Sequence, residues 1–166
     1  NIRRGGETPW YPSVVELADT NGIDVIQVNK IELGSEPHHR IAATAPDLFI
    51  VASYRNLIAP ELLALPPCGA VNLHMAPLPK YRGAHPENWA IINGETEMGY
   101  TVHYLDGGID SGDVIRQQAV PILPEDTILS LTFKLAAAGP AMLVDVVRDL
   151  MAGHVERNPQ DPTAAS

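Results

Sequence analysis

The chain has 166 residues, 45% of them hydrophobic, which is enough for one globular core, and its 11 Lys and Arg against 20 Asp and Glu leave a net charge of -9. A field of that sign repels polyanions, so nucleic acid is not an expected partner. The single cysteine, Cys68, excludes an internal disulfide and leaves a reducing, cytoplasmic setting as the default.

The opening NIRRGGETPW has two arginines with no apolar run behind them, and reads as a loop rather than a secretion signal. Ser13 as N-cap, apolar residues at 14, 15, 17 and 18, and the Asn21-Gly22 stop predict a helix over about 13 to 20. DVIQV follows as a short strand, and EPHHRIAATAP as a loop and helix ended by Pro46. The uninterrupted run DLFIVAS predicts a central strand buried on both faces of a parallel sheet. APELLALPP is a short helix, and GAVNLH the next buried strand, halted by Pro77 and Pro79.

Beyond it, ENWAIINGE reads as a helix and MGYTVHYLD as a strand leading into the glycine-rich loop GGIDSGD. VIRQQAVPI is a further strand, and Thr127 to Leu150 a long amphipathic helical stretch with a possible break at Gly139-Pro140. No apolar run approaches the roughly 20 residues of a membrane span, so no membrane partner is expected. The alternation predicts an α/β fold, a three-layer Rossmann-like domain with a mainly parallel sheet, over residues 1–155, and a disordered tail over 156–166.

In such folds ligands sit at the carboxyl ends of strands, which is where GAVNLH delivers His74. Residues i and i+2 of a strand share a face, so Asn72 and His74 project together. The acidic loop adds Asp106, Asp110 and Asp113 among glycines that let a backbone approach a ligand. Taken separately, the pair fits a loop-satisfying role about as well, and the loop fits an ordinary acidic turn. Together, an amide, an imidazole and a carboxylate suit direct acyl transfer to a nucleophile. Asn72 would donate to the oxyanion, and His74 would donate or relay a proton. Asp110 would orient the ring, favour its cationic form and receive the amine proton. No G-x-S-x-G elbow is present. His38, His39, His85 and His103 lack metal-ligand spacing and are read as solvated or core residues, so no metal is expected.

The segments NLHMAPLPKYRG and ENWAIINGETEMGYTVHYLDGGIDSGDVI resemble the formyltransferases that use N10-formyltetrahydrofolate. The likeness runs from about Thr8 to Leu150. It implies that Asn72, His74 and Asp110 are the catalytic set and that N10-formyltetrahydrofolate is the co-substrate. By carry-over, SYRNLIAP and YLDGGID line the pterin slot, which names Arg55, Asn56, Leu57, Ile58, Leu105, Gly107 and Ile109. Trp10, which could stack on a sugar or base, and Tyr81 and Arg82, in the turn walling the acceptor side, are the candidate substrate-binding residues.

Two departures stand out. Ala76 replaces the family's serine two residues after the histidine, and the chain starts at Asn1 beyond the family's first strand and helix, so an N-terminally incomplete domain is expected. The acceptor implied is a nucleotide-linked amino sugar, because ETPWYPSVVELADTNGIDVIQV and SYRNLIAP look most like the sugar N-formyltransferase branch, including the formyltransferase domain of the lipid A modification enzyme, because YRG departs from the purine enzyme's YPG, and because the charge and the short stretch after the last helix disfavour methionyl-tRNA. Hydrolysis of formylfolate, a methionyl-tRNA formyltransferase-like activity and an inactive folate-binding fragment are the alternatives. A homodimer is left open.

Overall fold

The computed structural model describes residues 13–166, which divide into two units, one ending at Ile31 and one running from Glu32 to Ser166. In the first unit, α1 (Val14–Thr20) starts where expected, with the Ser13 hydroxyl accepting the Glu16 N–H at 3.3 Å, and stops at Asn21. DVIQV makes no ladder pairing among the described residues, so the predicted strand there is corrected to irregular chain. Alternation of apolar residues predicts a strand only where a partner supplies the hydrogen bonds.

The second unit contains α2 (Glu36–Ala43), β1 (Phe49–Ala52), α3 (Pro60–Leu63), β2 (Ala70–His74), α4 (Pro86–Ile92), β3 (Glu97–Tyr104), β4 (Val114–Pro121) and α5 (Ile128–Met151). Its four strands form one sheet in the order β1-β2-β3-β4. The expected parallel pairing holds for β1 and β2, with Phe49 opposite Ala70 and Ala52 opposite Leu73. The β2-β3 and β3-β4 pairs are antiparallel, which makes the sheet mixed. The β3-β4 connection is the glycine-rich loop with no helix, so β4 returns beside β3 as a hairpin rather than by a crossover. β1, expected to be central, pairs only with β2 among the described residues and leaves Ile50 half exposed.

The core lies on the face of the sheet formed by Val71, Tyr100, Val102 and Tyr104, and is completed by Ala90 of α4 and by α5. Leu131, Leu135, Met142 and Val146 recur at helical spacing along α5 and are buried. Thr127 and Ser130 cap its start reciprocally. The helix runs unbroken through Gly139-Pro140. Gly139 lies flat on β2, where a Cβ would come within 3.1 Å of Leu73 Cδ2, so the residue expected to interrupt the helix instead sets its distance from the sheet. By length and composition alone, α5 is the one described helix that could cross a membrane. Its buried stripe belongs to this core.

The segment after α5, expected to be disordered, is ordered. Asn158 exchanges backbone hydrogen bonds with Val114 at 2.8 and 3.0 Å, and Arg157 places its guanidinium 3.8 Å from the centre of the Tyr104 ring. A 3₁₀ turn follows at Pro162–Ala164. Its polar, proline-containing composition concealed a strap tied by backbone hydrogen bonds.

Candidate active site

The antiparallel register sets Asn72 opposite His103 and His74 opposite Thr101, so all four side chains stand on the face of the sheet away from α5. β2 then ends, as its two prolines require, and the chain enters a turn in which Tyr81, Gly83 and His85 all have positive φ. That turn folds back over the strand end. The Tyr81 carbonyl receives the His74 Nε2–H at 2.8 Å, and the Gly83 N–H donates to Asp110 Oδ2 at 2.8 Å.

Asp110 arrives from the β3-β4 loop. Its own φ is 48°, a left-handed conformation that costs a non-glycine residue about 1–3 kcal/mol and that clusters at functional sites. Gly112 must be glycine, because a Cβ there would overlap the Tyr104 carbonyl. The close approach pins the loop to the end of β3. Asp110 Oδ2 stands 3.6 Å from His74 Nδ1, and Oδ1 stands 3.4 Å from His103 Nε2.

Asn72 Nδ2 lies 3.3 Å from Asp110 Oδ1 and 3.2 Å from His103 Nε2. His103 Nδ1 is 2.8 Å from the Tyr104 carbonyl, which fixes the proton on Nδ1 in the neutral ring and leaves Nε2 to accept from Asn72. Both hydrogens of the Asn72 amide are thus engaged, and an oxyanion meets them only in exchange for one of these long bonds. His103 is fully buried beside the candidate set, and the sequence reading had placed it among core or solvated histidines. The signal lay in its register opposite Asn72, which only the strand pairing reveals.

Electrostatics refine the expected protonation states. Burial lowers the His74 pKa below the usual histidine value, with Asp110 and the Tyr81 carbonyl only partly offsetting it. The neutral ring is therefore favoured, against the cationic form expected from Asp110 alone. For Asp110, burial pushes the carboxyl up, but the hydrogen bond that His103 Nε2 donates when its ring is protonated, the charge of a protonated His74 and the Gly83 N–H outweigh it. The net result is a pKa below the usual carboxylate range, and the Gly83 bond supports the carboxylate whatever the state of the imidazoles.

These groups form one end of a cleft of about 630 Å³. Its walls include Arg55, Asn56, Leu57 and Ile58 from the segment after β1, and Leu105, Gly107 and Ile109 from the β3-β4 loop. All seven residues assigned to the pterin slot thus face the same space as Asn72, His74 and Asp110. Tyr81 and Arg82 do not line it. They border a second cavity of about 440 Å³ together with Lys80 and Trp89, the Tyr81 hydroxyl donating to Glu95 at 2.6 Å and Arg82 being held by Gln160. Trp10 lies outside the described residues. Ala76 is fully buried, and Thr101 donates its hydroxyl to the Ala76 carbonyl at 2.7 Å, so the strand end is tied without a serine at that position. Among the described residues no group of three or more His, Cys, Asp or Glu is placed to hold a metal ion.

The pattern of the formyl transferase family matches residues 14–147. This chain belongs to that family. A methionyl-tRNA formyltransferase of Synechocystis sp. is 39% identical over 165 residues, which is 99% of this chain and 50% of that protein. The chain spans about half the length of the curated relatives it matches. Among solved structures, the N-formyltransferase of Helicobacter canadensis, in complex with folinic acid and dTDP-3-aminofucose, superimposes with a TM-score of 0.76 at 25% identity, covering 100% of this chain and 57% of that one. The glycinamide ribonucleotide transformylase 1 of Geobacillus kaustophilus does so with a TM-score of 0.73 at 31% identity, over 82% of this chain and 76% of that one. The α/β formyltransferase fold is common to all of them.

Proposed function

We propose that this domain transfers a formyl group from N10-formyltetrahydrofolate to the primary amine of an acceptor. The observation that carries the reading is the convergence of Asn72, His74 and Asp110 at the end of a cleft whose walls are the residues assigned to the pterin slot. The cleft also suits the ligand chemically. Leu57, Ile58, Leu105 and Ile109 offer apolar surface to a flat ring, and the polar set stands where the formyl group would react.

The folate supplies the formyl group on its N10. Asn72 turns one Nδ2–H from Asp110 or His103 to the formyl oxygen as charge develops there, and a preorganised donor of this kind contributes about 3–4 kcal/mol. Asp110, ionised at neutral pH, accepts the proton that the attacking amine loses. His74, with Nε2–H committed to the Tyr81 carbonyl, takes that proton on Nδ1 and returns it to the leaving folate nitrogen. One C–N bond forms, one breaks, and one proton moves from amine to folate. His103, whose Nε2 accepts from Asn72, holds that amide in place from behind.

For the acceptor two readings each have an observation in support. A nucleotide-linked amino sugar accords with the dTDP-sugar bound by the Helicobacter canadensis relative, and the net charge of -9 weighs against tRNA. Methionyl-tRNA accords with 39% identity to the Synechocystis enzyme over nearly the whole chain. The test is an acceptor panel containing nucleotide-linked amino sugars, glycinamide ribonucleotide and methionyl-tRNA, with tetrahydrofolate and formate both followed. Amine-dependent release of tetrahydrofolate is expected and identifies the acceptor. Formate release without any amine would replace the reading with a hydrolase, and folate binding without turnover would replace it with a binding domain.

A further inference from the structure

The strap that follows α5 reaches the site through one side chain. Gln160 donates from Nε2 to the backbone carbonyls of Asp110 and Gly112, at 2.8 and 2.7 Å. Its Oε1 accepts from Arg82 Nε and Nη2, at 3.1 and 2.7 Å. All four hydrogen-bonding positions of the amide are filled, and the partners leave no ambiguity about which end is oxygen, because carbonyls demand the NH₂ and a guanidinium demands the O.

The two halves of this clamp belong to the two loops that build the site. Asp110 and Gly112 lie in the β3-β4 loop, and Arg82 adjoins Gly83, whose N–H holds the Asp110 carboxylate at 2.8 Å. Asp110 sits in a left-handed conformation that carries a cost for any residue with a Cβ, so contacts from outside the residue help to hold it there. We propose that Gln160 is a positioning residue that locks Asp110 and the Arg82-Gly83 turn together, making the strap after α5 part of the reaction machinery. The proposal rests on the formyl-transfer reading for its effect on rate, but the clamp itself can be observed without turnover.

Residue type is specific here. Glutamate would keep the Arg82 half and lose both donors to the loop, leaving two carbonyls facing a carboxylate. Alanine loses both halves. Asn158 offers the control, because its side chain helps tie the same strap to Val114 without touching Asp110 or Arg82.

The experiment compares Gln160→Ala, Gln160→Glu and Asn158→Ala with the wild-type protein. Two quantities are read: kcat and KM for formyl transfer, and NMR-detected hydrogen exchange of the Gly83 amide. Both Gln160 variants are expected to lose about tenfold or more in kcat, with KM for the folate within about threefold, since a misplaced catalytic group slows chemistry more than binding. Both should exchange the Gly83 amide at least about tenfold faster, with β3 amides unchanged. Asn158→Ala should stay within about twofold of wild type in both readings.

Wild-type Gly83 exchange in both Gln160 variants, or wild-type kcat in Gln160→Glu, would overturn the proposal. So would equal losses in Asn158→Ala, which would reduce the effect to loosening of the strap. If the wild-type protein transferred no formyl group, faster Gly83 exchange in the Gln160 variants would keep the clamp and remove the reaction assigned to it.

Discussion

The two walls of the cleft are built in opposite ways. The turn after β2 and the β3-β4 loop are tied to each other and to the strap by the bonds at His74, Gly83, Asp110 and Gln160, and their reactive side chains are buried or half-buried. The segment Ser53–Leu57, which supplies the other wall, is exposed throughout, Leu57 at 65%. Groups that must hold a bond-making geometry are preorganised, because misplacement by about 1 Å costs orders of magnitude in rate. A surface that only binds a ring can remain exposed, since the ligand itself buries it.

The contrast can be broken most directly at its rigid end. Asn72→Ala and Asp110→Ala should each lower kcat at least about a hundredfold with folding intact, matching the loss of an oxyanion donor or a general base. Steady-state kinetics beside a thermal melt checks this, and wild-type rates in either variant remove the mechanism. His103→Gln should cost about tenfold in kcat, because the ring supports Asn72 from behind rather than touching the reacting atoms. A purely structural histidine would instead change the melt and leave kcat alone.

At the exposed end, Leu57→Ala should raise KM for formylfolate about threefold to tenfold with kcat nearly unchanged, the signature of lost uniform binding. A fall in kcat without a change in KM would place Leu57 with the rigid wall instead.

The smallest expected effect is on stability. The folded pKa of His74 lies below its unfolded value near 6.5, so the unfolded chain binds the proton more readily. The His74 contribution is complete above pH 6.5 and diminishes as the pH falls from there towards the folded pKa. Asp110, with its pKa below 3.8, adds a loss only at more acidic pH. Urea midpoints at pH 7.5 and 5.5 should therefore differ less in His74→Gln than in the wild type. An equal difference would mean that burial of His74 is not the cause.

What was legible in the sequence divides along the same contrast. Asn72 and His74 could be paired because strand alternation is a local rule, whereas Asp110 was one of three aspartates in a glycine-rich loop and was singled out by the resemblance to the formyltransferases. His103 was not legible, because its place beside Asn72 depends on β2 and β3 being antiparallel, whereas buried apolar runs alternating with helices pointed to a parallel sheet. Gln160 was missed for a related reason. Nothing in a polar tail distinguishes one amide from another until the loop carbonyls it meets are in place. At residues 24–28 the opposite happened, a convincing strand pattern without a ladder partner among the described residues.

The most direct test of the central claim is a single-turnover measurement of formyl transfer in Asp110→Ala, with the dissociation constant for folinic acid determined on the same preparation. The account predicts a rate lower by at least about a hundredfold and a dissociation constant within about threefold of the wild type. A wild-type transfer rate in that variant would contradict the assignment of Asp110 and, with it, the site built around it.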